Sequence, residues 1–298
     1  MQKDAKLILG GGAAYGLAHI GVLEALSSEF RITGIVGTSM GAIVGGLYAL
    51  GKTPREILDI ALESGSAAVF NPGWIPLKPQ KLPLDLLSGL HNKKKIMELI
   101  GSMTAGARIE ELPLPFVSVA YDLNQRKTIL IDKGSLASAM RASSSLPLLF
   151  APYAVGKYLF VDGGVEHPLP LAFGDSVPGA YTIAVNVLPP VSTEAETIEL
   201  DSKGASPSLP SHQVVIQSIL QNQGFVAIQE LLQNPPDLFI DAHDSSKKIL
   251  DIFDAQAFFD FGLAAANESL QKRSEPSFME HMVSRYQDLV ARLMKRKH

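Results

Sequence analysis

Apolar and polar positions change period along this chain, and each change marks an element. Residues 6–9 read as a short buried strand ended by Gly10-Gly11-Gly12, and residues 17–28 follow helical spacing through Ile20, Leu23 and Leu26. A second apolar run, 32–36, stops at Gly37-Thr38-Ser39-Met40-Gly41, and the Gly- and Ala-rich run 42–50 follows. Thr53-Pro54-Arg55-Glu56 is a capping box with proline at the first helical position, which predicts a helix to about Glu63. Runs 116–121 and 127–131 flank a polar turn, and 153–155 and 158–161 flank Gly156-Lys157, so two hairpins are predicted. Strands are also predicted at 181–188 and 238–240, and helices at 135–145, 213–232, 255–270 and 277–294. Another helix starts at Lys93-Lys94-Lys95, a charge run that reads as a solvated helix end.

Early alternation of strands and helices predicts an α/β fold, with a mostly parallel central sheet flanked by helices on both faces. No repeat or domain boundary is evident, so 1–298 is read as one domain. Within it, 189–211 carries Pro, Ser, Thr and Gly with scattered acids, the composition of a mobile loop. The basic tail 295–298 is expected to fray.

Composition narrows the classes of function. Hydrophobic residues make up 46% of the chain, ample for a core, and the net charge of -4 argues against nucleic acid as a partner. With no cysteine there is no disulfide, thiol nucleophile or thiolate metal site. The first residues enter a strand without a signal-peptide core, so a cytoplasmic location is expected, with transient contact at a membrane surface.

Candidate chemistry centres on the G-x-S-x-G stretch. Read as strand, sharp turn and helix, it is a nucleophile elbow, in which Gly37 and Gly41 let the backbone cross closely and Ser39 is presented at the turn. The Met40 amide then belongs to a helix N-terminus beside the hydroxyl. A rival reading takes 32–51 as a membrane span, since that stretch has no charge and Gly37, Gly41 and Gly45 keep four-residue spacing. Upstream, Gly10, Gly11, Gly12, Ala13 and Gly16 form a strand–loop–helix that can cradle an anion. The dinucleotide spacing fails there, because Tyr15 or Ala13 falls where glycine is required. A third piece, Asp162-Gly163-Gly164, follows the second predicted hairpin.

Together these pieces resemble the patatin-like phospholipase family, especially its compact bacterial members. The matching stretches are LGGGAAYGLAHIGVL (9–23), GTSMG (37–41), SSSLPLLFAP (143–152) and VDGG (161–164), with DAQAFFDFG (254–262) also similar. The resemblance spans about residues 5–270 and implies a three-layer α/β sandwich. It also implies hydrolysis of phospholipid, lysophospholipid or other fatty esters by a Ser-Asp dyad that needs no metal or cofactor. Ser39 would be the nucleophile and Asp162 the base, with amides of Gly11, Gly12 and Ala13 as the oxyanion hole. The proline- and leucine-rich stretch 70–90, which holds Trp74, would be a lid or lipid-facing cover. This chain departs from the family in its first loop, where Ala13 and Tyr15 replace a usual glycine and a usual Arg or Lys. The lost cation leads to an expected preference for neutral or short-chain esters over anionic phospholipids. His167 stands where the family commonly has asparagine. It and His19 are expected to serve structural roles. A lipid-binding or regulatory module that has lost catalysis stays open as the other class of function.

Overall fold

The computed structural model describes residues 2–66, 93–147, 149–191, 211–243 and 254–273. The expected cover at 70–90 with Trp74, residues 192–210 of the 189–211 loop, the helix at 277–294 and the tail lie outside the described residues.

The strands are β1 (Lys3–Leu9), β2 (Phe30–Thr38), β3 (Phe116–Asp122), β4 (Lys127–Ile131), β5 (Tyr153–Val155), β6 (Tyr158–Asp162), β7 (Tyr181–Asn186) and β8 (Leu238–Asp241). They form one sheet with the order β5-β6-β3-β2-β1-β7-β8, and β4 also pairs with β3. The pairings from β3 through β2, β1 and β7 to β8 are parallel, while β4, β5 and β6 join by antiparallel pairing. Alternation divides the core as the pleat requires. Leu7, Leu9 and Ile35 belong to one apolar cluster, and Ile8 and Val36 to another.

The helices are α1 (Ala18–Leu26), α2 (Met40–Ala49), α3 (Pro54–Ser66), α4 (Lys93–Thr104), α5 (Leu136–Ser143), α6 (Ser211–Gln233) and α7 (Ala255–Lys272). Ile20, Leu47, Ile57, Met140 and Phe258 bring α1, α2, α3, α5 and α7 onto the Leu7–Leu9 face. Ile216, Leu220, Ala227 and Leu231 bring α6 onto the Ile8 face, so the sheet lies between two helical layers. Each fully buried Leu or Ile stabilises by roughly 1.5–3 kcal/mol. Helices α1 and α7 meet backbone to backbone. A Cβ on Gly21 would lie 1.9 Å from Phe259 O, and one on Gly262 would lie 2.0 Å from Ala18 O.

Several element ends differ from expectation for physical reasons. β1 begins at Lys3, because Lys3 already pairs with Phe30 of β2. The first helix starts at Ala18 after a 3-10 turn over Ala13–Leu17. The membrane-span reading of 32–51 is overturned, since β2 ends and α2 begins inside that stretch. Among the described residues no helix is long and apolar enough to cross a membrane. The capping box at α3 is formed, with Thr53 N–H donating to Glu56 Oε2 at 2.7 Å and Glu56 N–H to Thr53 Oγ1 at 3.3 Å.

Register along β3 decides where the loops converge. Parallel β2 pairs with Phe116 to Val119, ending at Thr38 opposite Val119. Antiparallel β4 pairs with Ser118 to Asp122, overlapping β2, so those two flank opposite edges of β3. β6 pairs with Ala120 to Asp122, again overlapping β4, and therefore takes the edge that β2 has just left. Asp162 sits opposite Ala120, the residue after Thr38's partner.

Candidate active site

β2 stops at Thr38 because the chain turns sharply at Ser39, which adopts φ 56° and ψ −122°. That backbone is unfavourable for a residue with Cβ, and such strain persists only where its surroundings enforce it. Close crossing enforces it here. A Cβ on Gly37 would lie 2.6 Å from Gly41 O, and one on Gly41 would lie 2.4 Å from Leu9 O. The Ser39 carbonyl accepts the Ala42 and Ile43 amides at 3.0 and 3.1 Å, which starts α2 at once.

β6 delivers Asp162 to the same point. Ser39 Oγ donates to Asp162 Oδ2 at 2.5 Å, and Gly164 N–H donates to Oδ1 at 2.8 Å. Both side chains are almost fully buried, with Ser39 8% and Asp162 1% exposed. Burial raises the Asp162 pKa to about 6, with the Ser39 and Gly164 hydrogen bonds opposing the rise. The carboxylate is thus more basic than an exposed one and still largely ionised at neutral pH.

The serine run at the end of α5 brackets the pair. Ser143 Oγ accepts Ser39 N–H at 2.8 Å and donates to Val119 O at 2.5 Å. The Ser145 carbonyl accepts Asp162 N–H at 3.1 Å. Buried Arg141 donates to Ser145 Oγ at 2.5 Å and to Ala151 O at 2.7 Å, fixing the segment beyond the helix. None of these roles is visible in sequence, because each depends on which strand lies beneath α5.

The first loop reaches the site, with a correction. Gly11 N–H donates to Pro168 O at 2.7 Å, so it is not available to an oxyanion. Gly11 instead fits against the nucleophile turn, where its Cβ would lie 3.2 Å from Ser39 Cβ. Gly10 N–H is likewise engaged, by Val185 O at 3.1 Å. Gly12 caps the 3-10 turn that Ala13 opens, and Met40 opens α2. First-turn amides of a helix have no intrahelical acceptor. Ala13 has φ 48°, in the region that favours glycine, which accounts for the glycine usual at this place. Gly16 admits the elbow helix, since a Cβ there would lie 2.5 Å from Met40 Cβ. Gly163 lets the Asp162 turn lie on β3, where a Cβ would come 2.3 Å from Val119 O.

The Tyr15 side chain, where the family usually has Arg or Lys, belongs to the core. It is 9% exposed and packs edge-on against Phe258 and His243, at centroid separations of 6.1 and 5.1 Å. His19 Nε2 donates to Gly10 O at 2.7 Å, and complete burial lowers its pKa to about 4, so the ring is neutral and holds the loop. His167 Nδ1 bonds Glu230 Oε1 of α6 at 2.6 Å, and the His167 carbonyl accepts Thr38 Oγ1–H at 2.9 Å. Glu230 Oε2 also accepts Leu169 N–H at 3.1 Å, and burial raises its pKa against these bonds.

Beside Ser39 opens a cavity of about 140 Å³, lined by Ala13, Met40, Ile43, Ile57, Leu99 and Leu146 among others. A serine–carboxylate pair at an apolar cavity can present a nucleophile to an ester whose acyl part is hydrocarbon.

The family model described as patatin-like phospholipase matches residues 7–173, more than half of the chain. An uncharacterised NTE family protein of Mycobacterium bovis is 36% identical over 193 residues, covering 61% of this chain and 48% of that protein. Neuropathy target esterase of Drosophila melanogaster is 28% identical over 186 residues, covering 61% of this chain and 13% of the esterase. The chain spans about half the length of the mycobacterial relatives it matches. Among solved structures, VipD from Legionella pneumophila gives a TM-score of 0.43 at 12% identity, over 91% of this chain and 67% of VipD.

Proposed function

The chain belongs to the patatin-like phospholipase family, and from that premise we propose that it cleaves the carboxylic ester bonds of phospholipids, lysophospholipids or other fatty esters through an acyl-enzyme. One observation carries the reading: the 2.5 Å hydrogen bond from Ser39 Oγ to a buried, ionisable Asp162, at the mouth of an apolar cavity. In this mechanism Asp162 Oδ2 takes the Ser39 proton as Oγ bonds to the ester carbonyl carbon. The carbonyl electron pair moves to oxygen, and the resulting oxyanion is met by the amides of Gly12, Ala13 and Met40. As the tetrahedral intermediate collapses, the alcohol leaves with the proton held by Asp162. Asp162 then takes a proton from water, whose oxygen attacks the acyl carbon. Collapse breaks the Oγ–acyl bond, Ser39 recovers its proton from Asp162, and the fatty acid departs.

A fluorophosphonate probe with an alkyl tail tests the site directly. Labelling should map to Ser39 and vanish in Ser39→Ala, with ester hydrolysis falling about 10⁴–10⁶-fold, by analogy with protease triads. His167→Gln should keep activity within about tenfold, because that ring bonds Glu230. Labelling that survives Ser39→Ala, or a His167→Gln loss as large as that of Asp162→Asn, overturns the dyad.

A further inference from the structure

Helix α6 places two buried polar side chains, Gln223 and Glu230, seven residues apart and hence on one face. Both meet the segment that follows the base. Glu230 is fully engaged there, by His167 and the Leu169 amide. Gln223 is different. It is 3% exposed, and its Nε2 finds no hydrogen-bond partner among the described residues. A buried amide nitrogen without an acceptor is costly and calls for an explanation.

The neighbourhood supplies one. The position that a Cβ on Gly164 would occupy lies 2.6 Å from Gln223 Nε2 and 2.9 Å from Asp162 Oδ1. The amide and the carboxylate therefore border one small gap that only glycine leaves open. Asp162 holds one hydrogen bond on each oxygen, from Ser39 and from Gly164. An ionised carboxylate has about four acceptor positions, so capacity remains.

We propose that Gln223 is a positioning residue for Asp162, its Nε2–H serving as a third donor to the carboxylate whenever Asp162 is ionised. The inference rests on the Ser39–Asp162 reading and adds to it. Ionised Asp162 is the form that accepts the serine proton, so a donor bound only to that form keeps the base available at lower pH. Turning the Gln223 amide toward Oδ1 satisfies the orphaned N–H, and transfer of the Ser39 proton to Asp162 releases it. Among the described residues, the other ionisable groups bordering the loop from Asp162 to Leu169 are Glu166, His167 and Glu230. Glu166 accepts Thr128 Oγ1–H at 2.5 Å, and the other two bond each other. Gln223 is an uncharged polar group whose amide nitrogen is still without an acceptor among the described residues.

The test is the pH profile of fluorophosphonate labelling and of kcat/KM for a short fatty ester, measured on the full chain. Gln223→Met, close in volume and without a donor, should move the acid limb up by about one unit, the scale of one hydrogen bond to a charged group. Gln223→Glu should move it further, since a second carboxylate then borders the first. Far-UV circular dichroism and thermal melting establish that each variant is folded, and Gln223→Leu, also without a donor, serves if Gln223→Met is not. A folded donorless variant whose acid limb stays within about 0.2 unit of the wild type overturns the inference while leaving the dyad standing. Loss of Ser39-dependent labelling in the unaltered protein would overturn both.

Discussion

Ser143 Oγ accepts the backbone N–H of Ser39 at 2.8 Å. The same hydroxyl donates to Val119 O on β3, so one side chain fastens the strained turn to the sheet. Ser143→Ala removes the acceptor of the buried Ser39 N–H and a donor to Val119 O, and a buried backbone group left unpaired costs about 1–3 kcal/mol. Denaturant unfolding should register a destabilisation in that range or above. Steady-state kinetics should show at least a tenfold fall in kcat, with KM little changed. Ser143→Thr, which keeps the hydroxyl, should recover part of both. Equal stability and activity in the alanine variant would refute the role.

Asp162 makes opposite demands on activity and stability. In the proposed mechanism activity needs the ionised form, so kcat/KM should fall as pH drops through about 6, roughly tenfold per unit below it. Folding favours the protonated form, because burial raises the pKa from 3.8 to about 6. Below pH 4 both states are mostly protonated and the penalty disappears; above pH 6 it applies in full. Asp162→Asn should therefore be nearly inactive yet more stable than the wild type at pH 8, by about 2–3 kcal/mol. That gain should vanish near pH 3.5, and melting curves at the two pH values check it.

Ile43 lines the cavity one helical turn beyond Ser39. Ile43→Phe should narrow the space open to an acyl chain without touching the reacting groups. Activity on a dodecanoyl ester should fall about tenfold or more relative to a butanoyl ester, since a few methylenes in an apolar pocket are worth that much. An unchanged ratio would place the acyl chain elsewhere.

Tyr15→Arg is expected to damage the fold instead of redirecting selectivity. The ring lies between Phe258 and His243, and an arginine there would bury a cation in an apolar layer. A lowered melting temperature with an unaltered ratio of anionic to neutral ester turnover is the expected result. A shifted ratio at unchanged stability would restore the reading drawn from the sequence.

Features legible in the sequence are those written in consecutive residues. The Ser39 turn, the Gly10–Gly12 loop and the two hairpins depend on local glycine placement and on alternation, so their types could be read directly. Ser143, Gln223 and Glu230 could not be read this way. Their partners lie 104 residues from Ser143 for Ser39 and 63 from Glu230 for His167, and only the packing of α5 and α6 brings them near. Gly11 misled for a related reason. Its place in an anion-cradling loop was legible, but the Pro168 carbonyl that takes its amide arrives from the far side of Asp162. Tyr15 was read by what it replaces, whereas α7 and the end of β8 decide where its ring goes.

The edge of β3 passes from β2 to β6 between Val119 and Ala120. The backbone interval along β3 between Thr38, the residue before Ser39, and Asp162 is thereby one peptide repeat of a strand, about 3.3 Å. Insertions between Gly41 and Phe116, or between Asp122 and Tyr158, can remodel the surroundings and leave the interval as it is. A single-residue slip along β3 would turn side chains to the opposite face and separate the pair. Both residues would still be in place in the sequence, and the ester would go uncut.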